Sequence, residues 1–94
     1  MDPKLIAYYQ SSLARKVSVL EDLGERLVEE PELGDEVRRI AHSLKGTGKS
    51  YGFPQISEVA AVAEAAEDGE LLGQGLGDLL EVLREVARGD GGAE

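Results

Sequence analysis

The sequence predicts an all-α protein, an antiparallel up-down four-helix bundle. Three observations carry that prediction. Helix-favouring Ala, Leu, Glu, Lys and Arg dominate, while aromatics amount to three Tyr and one Phe. Apolar residues recur at intervals of three and four, and no stretch alternates at period two. Four such runs are separated by short proline- or glycine-marked breaks, the spacing of neighbours in a bundle. A chain of 94 residues holds one domain with a modest core.

The first helix opens with Asp2 as cap and Pro3 at the first helical position, where a missing N–H is harmless. Ile6, Tyr9, Leu13, Val17, Leu20 and Leu27 form its apolar stripe. Glu29-Glu30-Pro31 stops it, because the residue before a proline is pushed out of the helical region. Val37, Ile40, Ala41, Leu44, Gly48 and Tyr51 mark the second helix, with Gly52 at its end. Pro54 starts the third, along which Ile56, Val59, Ala60, Ala63 and Ala66 line one face. Asp68-Gly69 is expected to break that helix as a terminal glycine would. The stretch Gly73-Gln74-Gly75-Leu76-Gly77 is expected just ahead of the fourth helix or within its first turn. Leu76, Leu79, Leu80, Leu83, Val86 and Ala87 then form the last stripe, with Arg84 and Arg88 favourably placed near the helix end. Residues 1–88 thus read as one domain and 89–94 as a glycine-rich disordered tail. Met1 and that loose tail read as the ends of a whole chain.

Composition excludes several classes of function. With no cysteine, the chain has no disulfide, thiolate nucleophile or cysteine metal site, which suits a reducing compartment. One histidine cannot build a multi-histidine metal site. A net charge of −9 argues against nucleic acid or an anionic membrane as main partner. No apolar run approaches the ~20 residues of a membrane span, and no signal-peptide pattern opens the chain. The expectation is a cytoplasmic monomer with no cofactor and no metal.

Residues 37–57 break the acidic pattern. They contain Arg38, Arg39, Lys45 and Lys49 and no acid, so the segment is +4 and the remainder −13. The only histidine, His42, lies within it. At ~100° per residue the apolar residues of this helix span an arc of roughly 100°, and His42 falls roughly 150° from its centre, facing solvent. Lys45 and Lys49 lie within roughly 60° of His42 on the same side. Gly46 is one turn on and Arg38 one turn back.

An isolated surface histidine or lysine is ordinarily just a solvated face. Here the histidine is unique and central to a reversal of charge. Gly46 costs ~1 kcal/mol of helix stability relative to Ala, and Gly48 a similar amount. Gly46 also leaves open space beside His42. A neutral imidazole is a nucleophile at physiological pH and can accept a phosphoryl group on a ring nitrogen. Ammonium groups nearby would offset the charge of the transferring group. The open side at Gly46 would admit a partner's active site.

Arg39-Ile40-Ala41-His42-Ser43-Leu44-Lys45-Gly46, then Gly52, Ile56, Val59, Ala63 and Glu64, resemble a histidine-containing phosphotransfer (HPt) domain. The family pattern is A-H-x-L-K-G, a second glycine six residues later, and an apolar stripe ending in a carboxylate or amide. The resemblance implies that His42 is the phosphorylated residue, Lys45 stabilises the phosphoryl group and Gly46 gives access. Glu64 would hydrogen-bond the non-reacting ring nitrogen and fix the tautomer; otherwise it is a solvated acid or an ion-pair partner of Lys45. Arg38 and Lys49 are expected to face the partner. Ala63 replaces a larger apolar residue usual before the terminal acid, which implies a thinner core there. Phe53-Pro54 is similar to a subset that includes chemotaxis-type kinases.

The function so implied is a phosphocarrier of a two-component phosphorelay, with no autonomous catalytic site. Its partners would be the aspartate of a response-regulator receiver domain and a histidine kinase. Two alternatives stand beside it: the phosphoacceptor domain of a chemotaxis-type histidine kinase, and a helical adaptor without chemistry.

Two motifs are decoys. Residues 43–50 nearly spell a phosphate-binding loop, but Ser43 replaces its opening glycine and no strand precedes it. Gly73 to Gly77 also lacks a strand before it and reads as a connection.

Overall fold

The computed structural model describes residues 2–89. They form four helices: α1 (Pro3–Arg26), α2 (Gly34–Ser50), α3 (Pro54–Ala65) and α4 (Gly69–Ala87), with a 3₁₀ turn at Pro31–Leu33. No strand occurs among the described residues. The expected tail of residues 89–94 lies, beyond Gly89, outside them.

Local chemistry sets most boundaries. The Asp2 carboxylate accepts the Lys4 N–H and Pro3 occupies the first position of α1. The helix ends at Arg26, short of Pro31, and the chain turns before the 3₁₀ segment. Gly52 takes φ +89° after α2, a left-handed conformation that frees the chain to enter α3 at Pro54.

The core follows the apolar stripes. Leu13, Leu20, Val37, Ala41, Leu44, Ile56, Ala60, Ala63, Leu79 and Leu83 are fully buried. Ile6, Val17, Leu27, Ile40, Tyr51, Val59, Ala66 and Ala87 pack partly buried against them. Leu23, Phe53 and Leu72 join the core although no stripe named them. Phe53 belongs to an aromatic group: Tyr9 stacks on Tyr51 at 4.3 Å between centroids and on Phe53 at 6.1 Å. The Tyr9 hydroxyl pairs with that of Thr47 at 3.0 Å, joining α1 to α2.

Two expectations are corrected around α4. Asp68-Gly69 does not terminate α3, which stops at Ala65 with Ala66 extended. Instead Asp68 caps α4, its carboxylate accepting the Leu71 N–H at 2.8 Å. The glycine stretch lies inside α4 rather than ahead of it or in its first turn. The balance of energies explains this. Gly73, Gly75 and Gly77 cost ~1 kcal/mol each in a helix. Leu72, Leu76, Leu79, Leu80, Leu83 and Val86 are buried along α4, at ~1.5–3 kcal/mol for each full burial. Burial outweighs propensity.

Gly75 also has a packing use. A Cβ there would stand 3.0 Å from the Ala63 Cα. The small residue at 63 therefore does not thin the core; it meets a glycine, and α3 and α4 close on each other at that point.

Candidate functional site

The site lies where α2 faces α3, the pair of helices in broadest contact. Gly48 makes that contact close: a Cβ there would fall 2.8 Å from the Ile56 Cβ and 3.1 Å from the Ser57 backbone nitrogen. Helix α3 thus lies against α2 about one and two-thirds turns beyond His42.

The His42 side chain is 68% exposed, as its place opposite the apolar arc requires. Glu64, on α3, reaches across and bonds the ring at Nδ1 through Oε2. Its other oxygen, Oε1, accepts from the Lys45 ammonium at 2.6 Å. The two partners considered for Glu64 are therefore engaged together, one on each oxygen. The Lys45 hydrogen bond holds the Glu64 carboxyl below the usual glutamate range; partial desolvation opposes this and the His42 contact reinforces it.

That charge state fixes the imidazole. An ionised carboxylate only accepts, so Nδ1 carries the hydrogen of this bond. In the neutral ring Nε2 then holds the free lone pair. Lys45, one turn beyond His42, is 44% exposed. Gly46 is open: nothing stands within 4 Å of where its Cβ would be.

The structure therefore brings His42, Lys45 and Glu64 together, with Gly46 clear beside them. Lys49 is exposed on the same helix and has no carboxylate within ion-pair distance among the described residues. Arg38 departs from the expected place at the partner face. It is 29% exposed, its Nε donates to the Ala66 carbonyl at 3.0 Å, and Nη1 approaches Asp35 at 3.5 Å. Ala66 follows the end of α3 in extended backbone, and the guanidinium meets its carbonyl. Helical angle alone put Arg38 with the exposed cations; its length lets it fold back onto α3.

Two neighbouring features escaped sequence reading. One is an open groove of about 500 Å³ between α1 and α2, lined by Tyr8, Arg15, Lys16, Val19, Arg39 and Ile40 among others. Its signal was available: Tyr8 and Val19 are large apolar residues off the α1 stripe, and both are exposed. The other is Ser57, hydrogen-bonded to α2 at two points. Among the described residues no three His, Cys, Asp or Glu side chains converge as a metal site would need, and no helix is long and apolar enough to cross a membrane.

An all-helical domain presenting one imidazole to solvent, backed by a carboxylate and flanked by a lysine and a bare glycine, has the form of a histidine phosphotransfer module. The model of the Hpt domain matches residues 4–89, and the chain belongs to that family. Hpt domains are phosphocarriers that serve histidine phosphotransfer in phosphorelays and interact with receiver domains and kinases. No curated protein and no solved structure matches the chain.

Proposed function

We propose that the chain carries a phosphoryl group on Nε2 of His42 and exchanges it with the aspartate of a response-regulator receiver domain. The observation that carries this reading is the Glu64 bond to Nδ1 of an exposed ring, which in the neutral imidazole puts the free lone pair on Nε2. In the forward step the Nε2 lone pair attacks phosphorus, the bond from phosphorus to the aspartyl oxygen breaks, and the carboxylate leaves with its electron pair. Glu64 supports the imidazolium character that develops on the ring. Lys45 is close enough to exchange its carboxylate oxygen for a phosphoryl oxygen, offsetting the added charge.

Gly46 gives the partner's acidic pocket room to close over the ring. Lys49 and the α1–α2 groove, with Arg15, Lys16 and Arg39 around apolar Tyr8 and Val19, complement such a pocket and its surroundings. His42, Lys45, Gly46 and Glu64 all belong to one chain, so a monomer suffices. The helices are read as an antiparallel up-down bundle, supported by contacts of 38 with 66, 42 with 64 and 48 with 56 across α2 and α3. A cytoplasmic location suits both these partners and the absence of cysteine.

Incubation with a phosphorylated receiver domain is expected to label the protein with acid-labile, base-stable phosphate. His42→Gln is expected to abolish labelling while leaving the helical circular-dichroism signal intact. Labelling that survives in this variant would refute the assignment. Glu64, with Phe53-Pro54, also favours a second reading as the phosphoacceptor domain of a chemotaxis-type kinase. Labelling by a kinase domain with ATP, and none from phosphorylated receivers, would select it.

A further inference from the structure

The Ser57 hydroxyl makes two hydrogen bonds to the backbone of the neighbouring helix. It accepts the Lys49 N–H at 2.8 Å and donates to the Lys45 carbonyl at 2.7 Å. These two groups are the i+4 donor and the i acceptor of one turn of α2. A serine on α3 thus brackets a complete turn of the helix that bears the site, and the turn begins at Lys45.

Three further observations give this contact a purpose. Gly48 lies within the bracketed turn, and its missing side chain is what lets the Ser57 backbone approach α2. Ser57 and Glu64 are seven residues apart on α3, two turns along the same face. And Glu64 must meet two groups on α2 at once, the His42 ring and the Lys45 ammonium. Apolar packing between α2 and α3 is non-directional and tolerates a small slide along the helix axes. Two hydrogen bonds from one hydroxyl to fixed backbone atoms do not.

We infer that Ser57 is a positioning residue for phosphotransfer: its hydroxyl fixes the height of α3 against α2, so that Glu64 falls between His42 and Lys45. It touches neither the ring nor a transferred group and acts through Glu64. The assignment rests on the phosphocarrier reading above, and the experiment separates the two.

The test compares Ser57→Thr with Ser57→Val, two side chains of equal shape that differ by a hydroxyl. Both are incubated with phosphoramidate, a small donor that needs no docking surface. The Nε2 lone pair of His42 attacks phosphorus, the phosphorus–nitrogen bond breaks and ammonia leaves. Ser57→Thr is expected to keep most of the labelling rate. Ser57→Val is expected to lose about tenfold, short of the ~100-fold that a full ångström of misplacement can cost. The ¹⁵N signals of the His42 ring give a readout that a general loss of stability would not move. In Ser57→Val the Nδ1–H tautomer is expected to lose population, and in Ser57→Thr to keep it. Equal rates and equal tautomer populations in the two variants overturn the assignment of Ser57. No labelling of the unaltered chain, with either phosphoramidate or a phosphorylated receiver, overturns the phosphocarrier reading instead. Should Ser57→Val lose its helical signal, Ser57→Ala takes its place against Ser57→Thr, with the same outcomes.

Discussion

A methyl group added at Gly46 and one added at Gly48, two residues apart on α2, are expected to move stability in opposite directions. Both replace glycine by alanine inside a helix, which alone gains ~1 kcal/mol. At Gly46 nothing stands within 4 Å of the new atom, so Gly46→Ala keeps the whole gain. At Gly48 the new atom meets the Ile56 Cβ at 2.8 Å, its Cγ2 at 2.9 Å and the Ser57 nitrogen at 3.1 Å. None of these is the free end of a flexible chain, and Ile56 is fully buried. Relief requires α3 to move. Such overpacking costs ~1–3 kcal/mol, and contact with atoms this close to the backbone belongs in the upper part of that range. Net of the propensity gain, Gly48→Ala loses about 1–2 kcal/mol. For a domain of this size 1 kcal/mol moves Tm by ~4–8 °C, so the two melting points should separate by at least ~8 °C. Thermal unfolding followed by circular dichroism at 222 nm measures both. A Gly48→Ala protein that melts as high as Gly46→Ala would refute the claim that Gly48 sets the distance between α2 and α3.

Further predictions concern the site. Gly46→Leu should fold at least as stably as the unaltered chain and yet block transfer from a receiver; normal transfer kinetics would remove the access argument. Lys45→Ala should slow labelling or shorten the phosphohistidine lifetime, and no change in either would remove its role. Glu64 titrates below the usual glutamate range in the folded state. Its contribution to stability is therefore complete above the ordinary value near pH ~4.3 and is lost as pH falls through the depressed one. Glu64→Gln should flatten that part of the acid-unfolding profile, measured as denaturant midpoint against pH; an unchanged slope would show that the Lys45 pair adds nothing. Tyr9→Phe, which leaves the Thr47 hydroxyl without its partner, should cost about 0.5–1.5 kcal/mol in urea unfolding, and a neutral result would show that water replaces the bond.

The parts of the fold legible in the sequence are those where one physical rule acts without a competitor. Tyr9, Leu13 and Leu20 are buried because a periodic stripe leaves them no other face, and His42 is exposed for the same reason. The approach of Glu64 to His42 was reachable only through the family resemblance together with its helical angle, because a pairing across 22 residues has no local signature. What was misread involved two rules in opposition. Asp68-Gly69 can end one helix or begin the next, and the choice depends on Asp68 finding the Leu71 N–H. Gly73 and Gly77 carry a breaking tendency that the leucines around them override. Ala63 looks like missing volume until Gly75 is placed against it. Arg38 and Ser57 were beyond reach, since both hydrogen-bond to backbone atoms outside their own helix, and backbone atoms leave no trace in the identity of the residue that carries them.

The proposed carrier role would also explain why the site has a bundle behind it. An imidazole that must reach into another protein's pocket cannot be held by a pocket of its own. Its orientation has to come from beneath, through the one ring nitrogen that does not react. Helix α3 meets the ring through Glu64, and the same carboxylate holds the Lys45 ammonium at 2.6 Å, which under the proposed function would let Lys45 turn from one anion to another. The arrangement works only while α3 keeps its place, because α2 alone would leave His42 a freely turning surface side chain. The close approach at Gly48, the backbone bonds of Ser57 and the bare surface at Gly46 then form one design. The glycine facing inward removes volume so that the supporting helix can come near; under the proposed function the glycine facing outward would do the same for the partner. The two glycines should therefore fail differently. Gly48→Ala should lower stability and transfer together, whereas Gly46→Leu should lower transfer alone. Parallel losses of stability and transfer in both variants would show that the site has no outward-facing requirement of its own.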